Sequence, residues 1–411
     1  MKRLFSIGTA LTLFAGTAFG AGYQLNLQGL RQLGMGGSGT AWPWDASTIF
    51  YNPGGLARLD GIQASVSGLM IIPTVQFAQA STGNVYTTQS QQFYPFNVYV
   101  GGPVMKGSKL AVGVGVYTPF GSGLTWDNNW AGKYFIQSIY LQSIFIQPTA
   151  SYRINDIVSV GAGFIYAFGN LEVKQAIPVS NENGVDGQAD LKGNANGTGY
   201  NLGVQLKASD KLQFGLTYRS QVNMKVKSGN ANFNVPSSVA SSFPNTNFTS
   251  QLPLPQVASV GVGYKPIKKL TLQLDINFIG WSAYDSLKFD FSKQTAELKN
   301  QHAPRLYQNT VAFRLGGNYD FSKKFSAMAG AAYDPTPVHD GFVSPELPDA
   351  DRIVLTCGVA YSPIRKLTVM AALEYTTTAK RNSIYNDGNL SLDGQYQTKA
   401  LTPGLGINYN F

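Results

Sequence analysis

Residues Lys269 to Trp281 read KLTLQLDINFIGW. Leu270, Leu272, Leu274, Ile276 and Phe278 share one parity, and Thr271, Gln273, Asp275 and Asn277 share the other. Successive side chains of an extended strand point to opposite faces, so a period of two marks a strand with one apolar and one polar face. The stretch 212–219 repeats the pattern, with Leu212, Phe214, Leu216 and Tyr218 against Gln213, Gly215, Thr217 and Arg219. The C-terminus repeats it again, with Leu405, Ile407, Tyr409 and Phe411 against Gly406, Asn408 and Asn410.

Short polar or basic turns separate such strands: KGSK at 106–109, INDI at 154–157, ASDK at 208–211, PIKK at 266–269, FSKK at 321–324 and PIRK at 363–366. They recur roughly every 40 to 60 residues, the length of two strands of about 10 residues and one long loop. The longer polar stretches 178–197, 229–253, 335–350 and 381–398 are expected to be those loops. Six turns join twelve strands, and with both chain ends on the turn side one strand precedes them and one follows, giving fourteen. The boundaries include 138–153, 157–176, 198–207, 269–281, 324–334, 351–362, 366–379 and 400–411, with one long strand within 284–320.

A strand apolar on one face and polar on the other fits a cylinder that faces lipid outside and water inside. Closure pairs every backbone N–H and C=O, as hydrocarbon demands. The expectation is therefore an all-β transmembrane fold, a closed antiparallel 14-stranded outer-membrane β-barrel over 61–411. Composition agrees: 22 Tyr, 24 Phe and 45 Gly with only 13% charged residues suit aromatic girdles and close strand packing.

The chain begins as an export signal. Lys2-Arg3 precedes an apolar run from Leu4 to Phe19, and Ala18-Phe19-Gly20 supplies small residues at −3 and −1. Residues 1–20 are thus expected to be removed after handling by the Sec translocon. The formal charge of +9 then falls by two to +7, spread over turns rather than in a stripe, which argues against nucleic acid. The single cysteine, Cys357, permits no intramolecular disulfide and reads as a buried packing residue. Phe411 ends an alternating strand, the feature expected to be read by the barrel-assembly machinery.

Residues 21–60 do not alternate. They carry glycine clusters and apolar side chains such as Leu25, Leu30, Trp42, Ile49 and Leu56. Burial of these side chains favours a plug, or hatch, of short helices in the lumen over a free periplasmic tail.

Several stretches resemble the long-chain fatty-acid outer-membrane transporter family, FadL, with its aromatic-hydrocarbon relatives. They are Ala21-Gly22-Tyr23-Gln24-Leu25-Asn26, Tyr51-Asn52-Pro53-Gly54 (with Gly54 where the family motif has Ala), Leu216 to Ser220, Trp281-Ser282 and Pro348-Asp349-Ala350-Asp351-Arg352. The resemblance implies a 14-stranded barrel, an N-terminal hatch containing Asn52, Pro53 and Gly54, and passive passage of hydrophobic small molecules, long-chain fatty acids foremost. Uptake of aromatic hydrocarbons by the same route is the alternative.

In such proteins the ligand lands first in an apolar groove among outer loops. Here 119–136 is the candidate, with Phe120, Leu124, Trp126, Trp130, Tyr134 and Phe135. An interfacial aromatic girdle explains the same residues. Buried alkyl chain contributes about 0.8 kcal/mol per CH₂ there. An inner pocket follows, with Tyr23 from the mature N-terminus. The family's basic positions fall on Gln175 and Ala303, and Lys174 and Arg305 stand near them; solvated charges are an equal reading. This departure favours a neutral hydrocarbon somewhat. The implied exit is lateral, through a third-strand kink at Thr118, Pro119, Phe120 and Gly121, unless Pro119 simply ends that strand.

No energy-coupling box, cofactor or metal site is expected. Outer-membrane lipid and lipopolysaccharide are the expected surroundings, and the chain is expected to be a monomer. An enzyme would need more than His302 and His339, which fall in expected loops without a serine motif. Gly34-Met35-Gly36-Gly37-Ser38-Gly39 lacks the Lys-Ser/Thr of a phosphate loop. A general porin would lack an apolar plug, and an adhesin would be marked by variable outer loops.

Overall fold

Leu272, Leu274, Ile276 and Phe278 are exposed, whereas Thr271, Gln273 and Asp275 are buried. This inversion of the soluble-protein rule recurs from strand to strand in the computed structural model, which describes residues 22–387 and 390–411. The expected signal peptide, 1–20, lies outside the described residues. No helix among the described residues is long and apolar enough to cross a membrane.

The strands form a ring of fourteen, several of them interrupted. β1 is Gln63–Leu69 with Ile72–Gln79, β2 is Val85–Thr87 with Phe96–Pro103, and β3 is Leu110–Tyr117 with Gly121–Thr125. β4 is Ser138–Arg153, β5 Val158–Ser180 and β6 Asp186–Lys207. β7 is Leu212–Arg219 with Val222–Asn234, β8 Thr246–Leu254 with Val257–Ile267, and β9 Leu270–Ile279 with Ser286–Phe291. β10 is Gln301–Pro304 with Thr310–Asp320, β11 Phe325–Asp334 and β12 Arg352–Ile364. β13 is Leu367–Thr378 with Arg381–Asp387, and β14 is Leu390–Asn410. Each pairs antiparallel with its neighbours in sequence. β1 pairs with β14, Gln63 opposite Asn410, and with β2, Gln63 opposite Gly101.

All six basic or polar turns fall between paired strands, at one end of the ring. The opposite end corrects the sequence reading. Residues 178–197, 229–253 and 381–398, expected as loops, are largely strand: β5 and β6 run for 23 and 22 residues, about twice a membrane crossing. Beyond the bilayer both faces of a strand can be polar, so alternation vanishes while pairing continues. Only 335–350 stays without a named strand. Residues 284–320 are likewise not one strand: 286–291 extend β9, and 301–304 with 310–320 make β10. His302, expected in a loop, lies in the short segment Gln301–Pro304, 2.9 Å from Asp290. Cys357 is exposed, not buried, because it takes the outward parity between Leu355 and Val359.

Residues 22–59 are largely buried against the strands. They form the short helices Leu30–Gly34 and Thr48–Tyr51 and the 3-10 turn Pro53–Arg58, and most of their side chains are buried. Their hydrogen bonds reach strands all round the ring. Leu27 O accepts from Asn97 on β2 (2.7 Å), Arg58 Nε donates to Ser159 on β5 (3.0 Å) and Gly39 N to Asp275 on β9 (2.8 Å). Arg31 donates to Asn318 on β10 (2.5 Å) and Gly36 N to Thr356 on β12 (2.8 Å).

Candidate functional site

The wall is irregular where β3 breaks. Tyr117 faces Phe145 and Gly121 faces Gln142, so four residues advance on β3 against three on β4. That is a bulge, and the strand resumes after it; Pro119, which has no N–H to give, sits inside it rather than at a strand end. The N-terminal segment fills the gap. Leu25 N donates to Pro119 O (2.8 Å), Gly121 N donates to Tyr23 O (3.0 Å), and Gln24 bridges Phe120. Gln28 Nε2 donates to Thr118 O (3.0 Å).

On its other side this stretch is unpaired. β2 and β3 pair as far as Asn97 and Tyr117, and meet again where Gln89 N donates to Thr125 O (2.8 Å). Among the described residues no backbone hydrogen bond joins 90–96 to 118–124. The gap is covered by side chains: the Phe93 ring lies against Gly123 and stacks on Tyr140 at 6.0 Å.

Three cavities lie inward of this window. An outer one of about 100 Å³ is lined by Tyr134, Phe135, Gln175, Ala303, Arg305 and Glu346 among others. An inner, almost wholly apolar one of about 60 Å³ is lined by Tyr23, Phe120, Leu171, Leu252, Tyr284 and Tyr307, with Arg305 and Glu346 again at its edge. A third of about 220 Å³ reaches the window, with Phe93, Phe120, Gly121 and Leu124 on one side and Arg314, Asp334 and Glu374 on another. Phe120 and Leu141 line both the inner and the third cavity.

The expected site residues divide accordingly. Tyr23 sits in an aromatic box, edge-on to Trp281 and Tyr284 at 4.8 and 5.7 Å, its hydroxyl donating to Pro253 O at 2.6 Å. Phe120, Leu124 and Arg305 line cavities. Trp126 and Trp130 line none of those described. They are fully buried and stacked at 4.2 Å, their indole N–H groups donating to Pro345 O and Ile136 O. The 119–136 stretch reaches the outer cavity instead through Tyr134, Phe135 and Ile136. Lys174 falls on the opposite parity from Leu171, Val173 and Gln175, which line cavities, and so does not join them. Gln175 and Ala303 both line the outer cavity, and Arg305 near them pairs with Glu346. Glu346, Phe93, Tyr284 and Tyr307 were not singled out from the sequence. Glu346 lies in a polar stretch that no periodicity orients.

Outside the membrane, Lys133 Nζ lies 2.6 Å from Asp186, which also accepts from Ser180 and Tyr134. The ammonium beside it holds the Asp186 carboxyl below the usual carboxylate range, and Lys133 is raised by the same hydrogen bond. Among the described residues no cluster of His, Cys, Asp or Glu could hold a metal ion.

The scattered sequence motifs have one structural task between them, the holding of residues 22–59. Asn52 Oδ1 accepts from Gly54 N (3.0 Å), and its amide donates to Thr40 O and Val204 O (2.9 and 3.0 Å). Pro53-Gly54 rests against Gly161 and Gly203, where a Cβ would lie 2.4 Å from Pro53 and 2.2 Å from Asn52. Arg219 donates to Phe50 O (2.8 Å), with its guanidinium 3.8 Å from the Phe50 ring centre. Trp281 packs against Gly22 and Tyr23. Asp349 accepts from Gly22 N (3.0 Å), and Arg352 donates to Gly22 O.

Known proteins share both sequence and fold. The long-chain fatty acid transport protein of Escherichia coli O6:H1 is 25% identical, covering 100% of this chain and 99% of that protein. A FadL homologue of Pseudomonas aeruginosa superposes with a TM-score of 0.83 at 21% identity, covering 95% of this chain and 100% of that one. The Ralstonia pickettii toluene transporter TbuX gives 0.72 at 16% identity, covering 93% and 98%. Residues 11–411 match the outer membrane protein transport protein family (OMPP1/FadL/TodX), and this chain, an outer-membrane transport protein, belongs to it.

Proposed function

We propose that the chain is a closed fourteen-stranded barrel with residues 21–60 as its hatch, and that it passes hydrophobic small molecules, long-chain fatty acids foremost, across the outer membrane without energy input. The route runs from the outer cavity past Arg305 to the inner apolar cavity, then past Phe120 to the third cavity and out sideways between β2 and β3. The observation that carries this reading is the shared lining: Phe120 and Leu141 border both inner cavities, and the second of these opens at the unpaired stretch of wall. An alkyl chain moving along it exchanges one apolar surface for another, so no step exposes much of it to water.

The same reading assigns surrounding lipid and lipopolysaccharide as neighbours of the apolar outer face, the Sec translocon and barrel-assembly machinery as partners in biogenesis, and a monomer as the working unit. Aromatic hydrocarbons are the second reading. The inner cavity walls favour it, being almost wholly apolar, with Tyr23, Phe120, Tyr284 and Tyr307 presenting rings.

Uptake of radiolabelled oleate and of toluene by a deletion strain, with and without the gene, tests the function. Gene-dependent entry of oleate supports the first reading, and entry of toluene alone moves it to the second. A steady large ion current through the purified protein in a planar bilayer, with neither compound taken up, would make it a general porin.

A further inference from the structure

Arg305 and Glu346 form an ion pair with little exposure, 5% for the arginine side chain and 14% for the carboxylate. Both side chains line the outer cavity, and both also line the inner one. The pair is the charged part of the partition between the two, which Ile139, Val173, Leu287 and Phe289 complete. Arg305 comes from the break between the two segments of β10, where its N–H is held by Asp285 O (2.7 Å). Its guanidinium also reaches Pro304 O (3.2 Å) and the Tyr385 hydroxyl (3.5 Å), so its position is fixed from the wall side.

Glu346 arrives differently. It belongs to the connection 335–350, which has no named strand and lines the inner cavity with Glu346 and Leu347. The connection is tied down at Val343 O by Ser383 (2.8 Å) and at Pro345 O by the Trp126 indole (3.4 Å). The carboxylate is thus presented to Arg305 on a connection, while the guanidinium is presented by the wall.

We propose that Glu346 is a built-in substitute for the head group of a carboxylate ligand: it occupies Arg305 when the site is empty, and a ligand carboxylate displaces it to pass from the outer to the inner cavity. This rests on the transport reading above and names its ligand class, a long-chain carboxylate. A buried guanidinium left without a counter-charge is strongly unfavourable, so Arg305 requires a carboxylate in either state. Exchanging one carboxylate for another keeps the charge balance and the paired hydrogen bonds, and Glu346 is released toward water at the mouth. A neutral molecule offers no such exchange and meets a closed pair. Glu346 is then a specificity-determining residue, setting how strongly a carboxylate must compete.

The test uses the purified full chain in detergent with two probes of equal chain length, oleate and oleyl alcohol, and compares affinities. Glu346→Gln removes the competitor and keeps the shape, so oleate should bind about tenfold more tightly while oleyl alcohol changes by less than about twofold. A double variant, Arg305→Met with Glu346→Met, removes both charges without leaving either unpaired. It should bind the two probes with equal affinity, losing any preference for oleate. Equal changes for both probes in Glu346→Gln, or a retained oleate preference in the double variant, would overturn the proposal. Failure of the wild-type chain to bind either probe would instead overturn the transport reading beneath it.

Discussion

The ring of Phe93 occupies the space that a side chain on Gly123 would need: a Cβ there would lie 2.3 Å from the ring. The two residues face each other across the stretch where β2 and β3 share no backbone hydrogen bond. An aromatic ring, seated on a glycine and stacked on Tyr140, covers part of that gap.

Phe93→Ala should therefore open the window without disturbing assembly, since the strand pairing on either side does not involve the ring. Faster entry of labelled oleate into cells, at unchanged heat-modifiability on gels, is the expected result. Gly121→Leu should act in the opposite sense. A Cβ at Gly121 already comes within 3.2 Å of Leu141 O and 3.4 Å of Leu25, so a larger side chain blocks the bulge. Uptake should fall below a tenth, an effect of about 1.4 kcal/mol or more on passage. Unchanged uptake in both variants would remove the lateral route.

Asn52→Ala should loosen the N-terminal segment while leaving the ring folded. The side chain accepts from Gly54 N and donates to Thr40 O and, on the wall, to Val204 O and Gln205 Oε1. Its loss should cost roughly 2–4 kcal/mol of local stability. The expected outcome is faster proteolysis within 22–59 with strand content by circular dichroism unchanged. Simultaneous loss of strand content would show that the segment stabilises the ring itself.

Arg314 and Asp334 are each 5% exposed and 2.5 Å apart, and Asn277 accepts from Arg314 Nε at 3.1 Å. Asp334→Ala removes the guanidinium's ion-pair partner and should lower stability by roughly 3–5 kcal/mol. Arg314→Met combined with Asp334→Leu should recover most of it. Thermal unfolding of the three proteins decides the matter; a double variant as unstable as Asp334→Ala would assign the cost to lost packing.

The Lys133–Asp186 contact should make the outer connection 126–137 pH-sensitive on the acid side. The Asp186 carboxyl is held below the usual range, so its contribution is fully present above the usual carboxylate pKa of about 4 and is lost as pH falls through the lowered value. Lys133 is raised, so it stays charged throughout the neutral range and loses its proton only above the usual lysine value. Cleavage within 126–137 by an acid-active protease should rise between about pH 4 and pH 2 in the wild type. In Asp186→Asn it should be high and flat across that range. An equally steep rise in the variant would place the acid-sensitive group elsewhere.

The sequence by itself determined the ring. Alternation in 269–281 and the six polar turns located the strands, their parity and their number, because one face meets lipid and the other water, and that difference is written into every second residue. The turns at 154–157 and 321–324 fell where the chain reverses because those residues must be solvated in tight bends. Tyr23 and Phe120 were also within reach of the sequence, through motifs near the N-terminus and in the third strand, and Arg305 through its nearness to Ala303, a basic position in the family the sequence resembles. Tertiary structure decided the rest. It put most of 178–197, and 381–387 with 390–398, into strands, since above the bilayer both faces are polar and no periodicity marks them. It turned Trp126 and Trp130 against each other instead of toward a groove, and it set Lys174 on the wrong face by one residue. It brought Glu346 onto Arg305, Phe93 onto Gly123 and Asp349 onto Gly22 across separations no local pattern encodes. Such contacts follow from which strand lies beside which and from how far one is sheared past the next, quantities that exist only once the strands have paired.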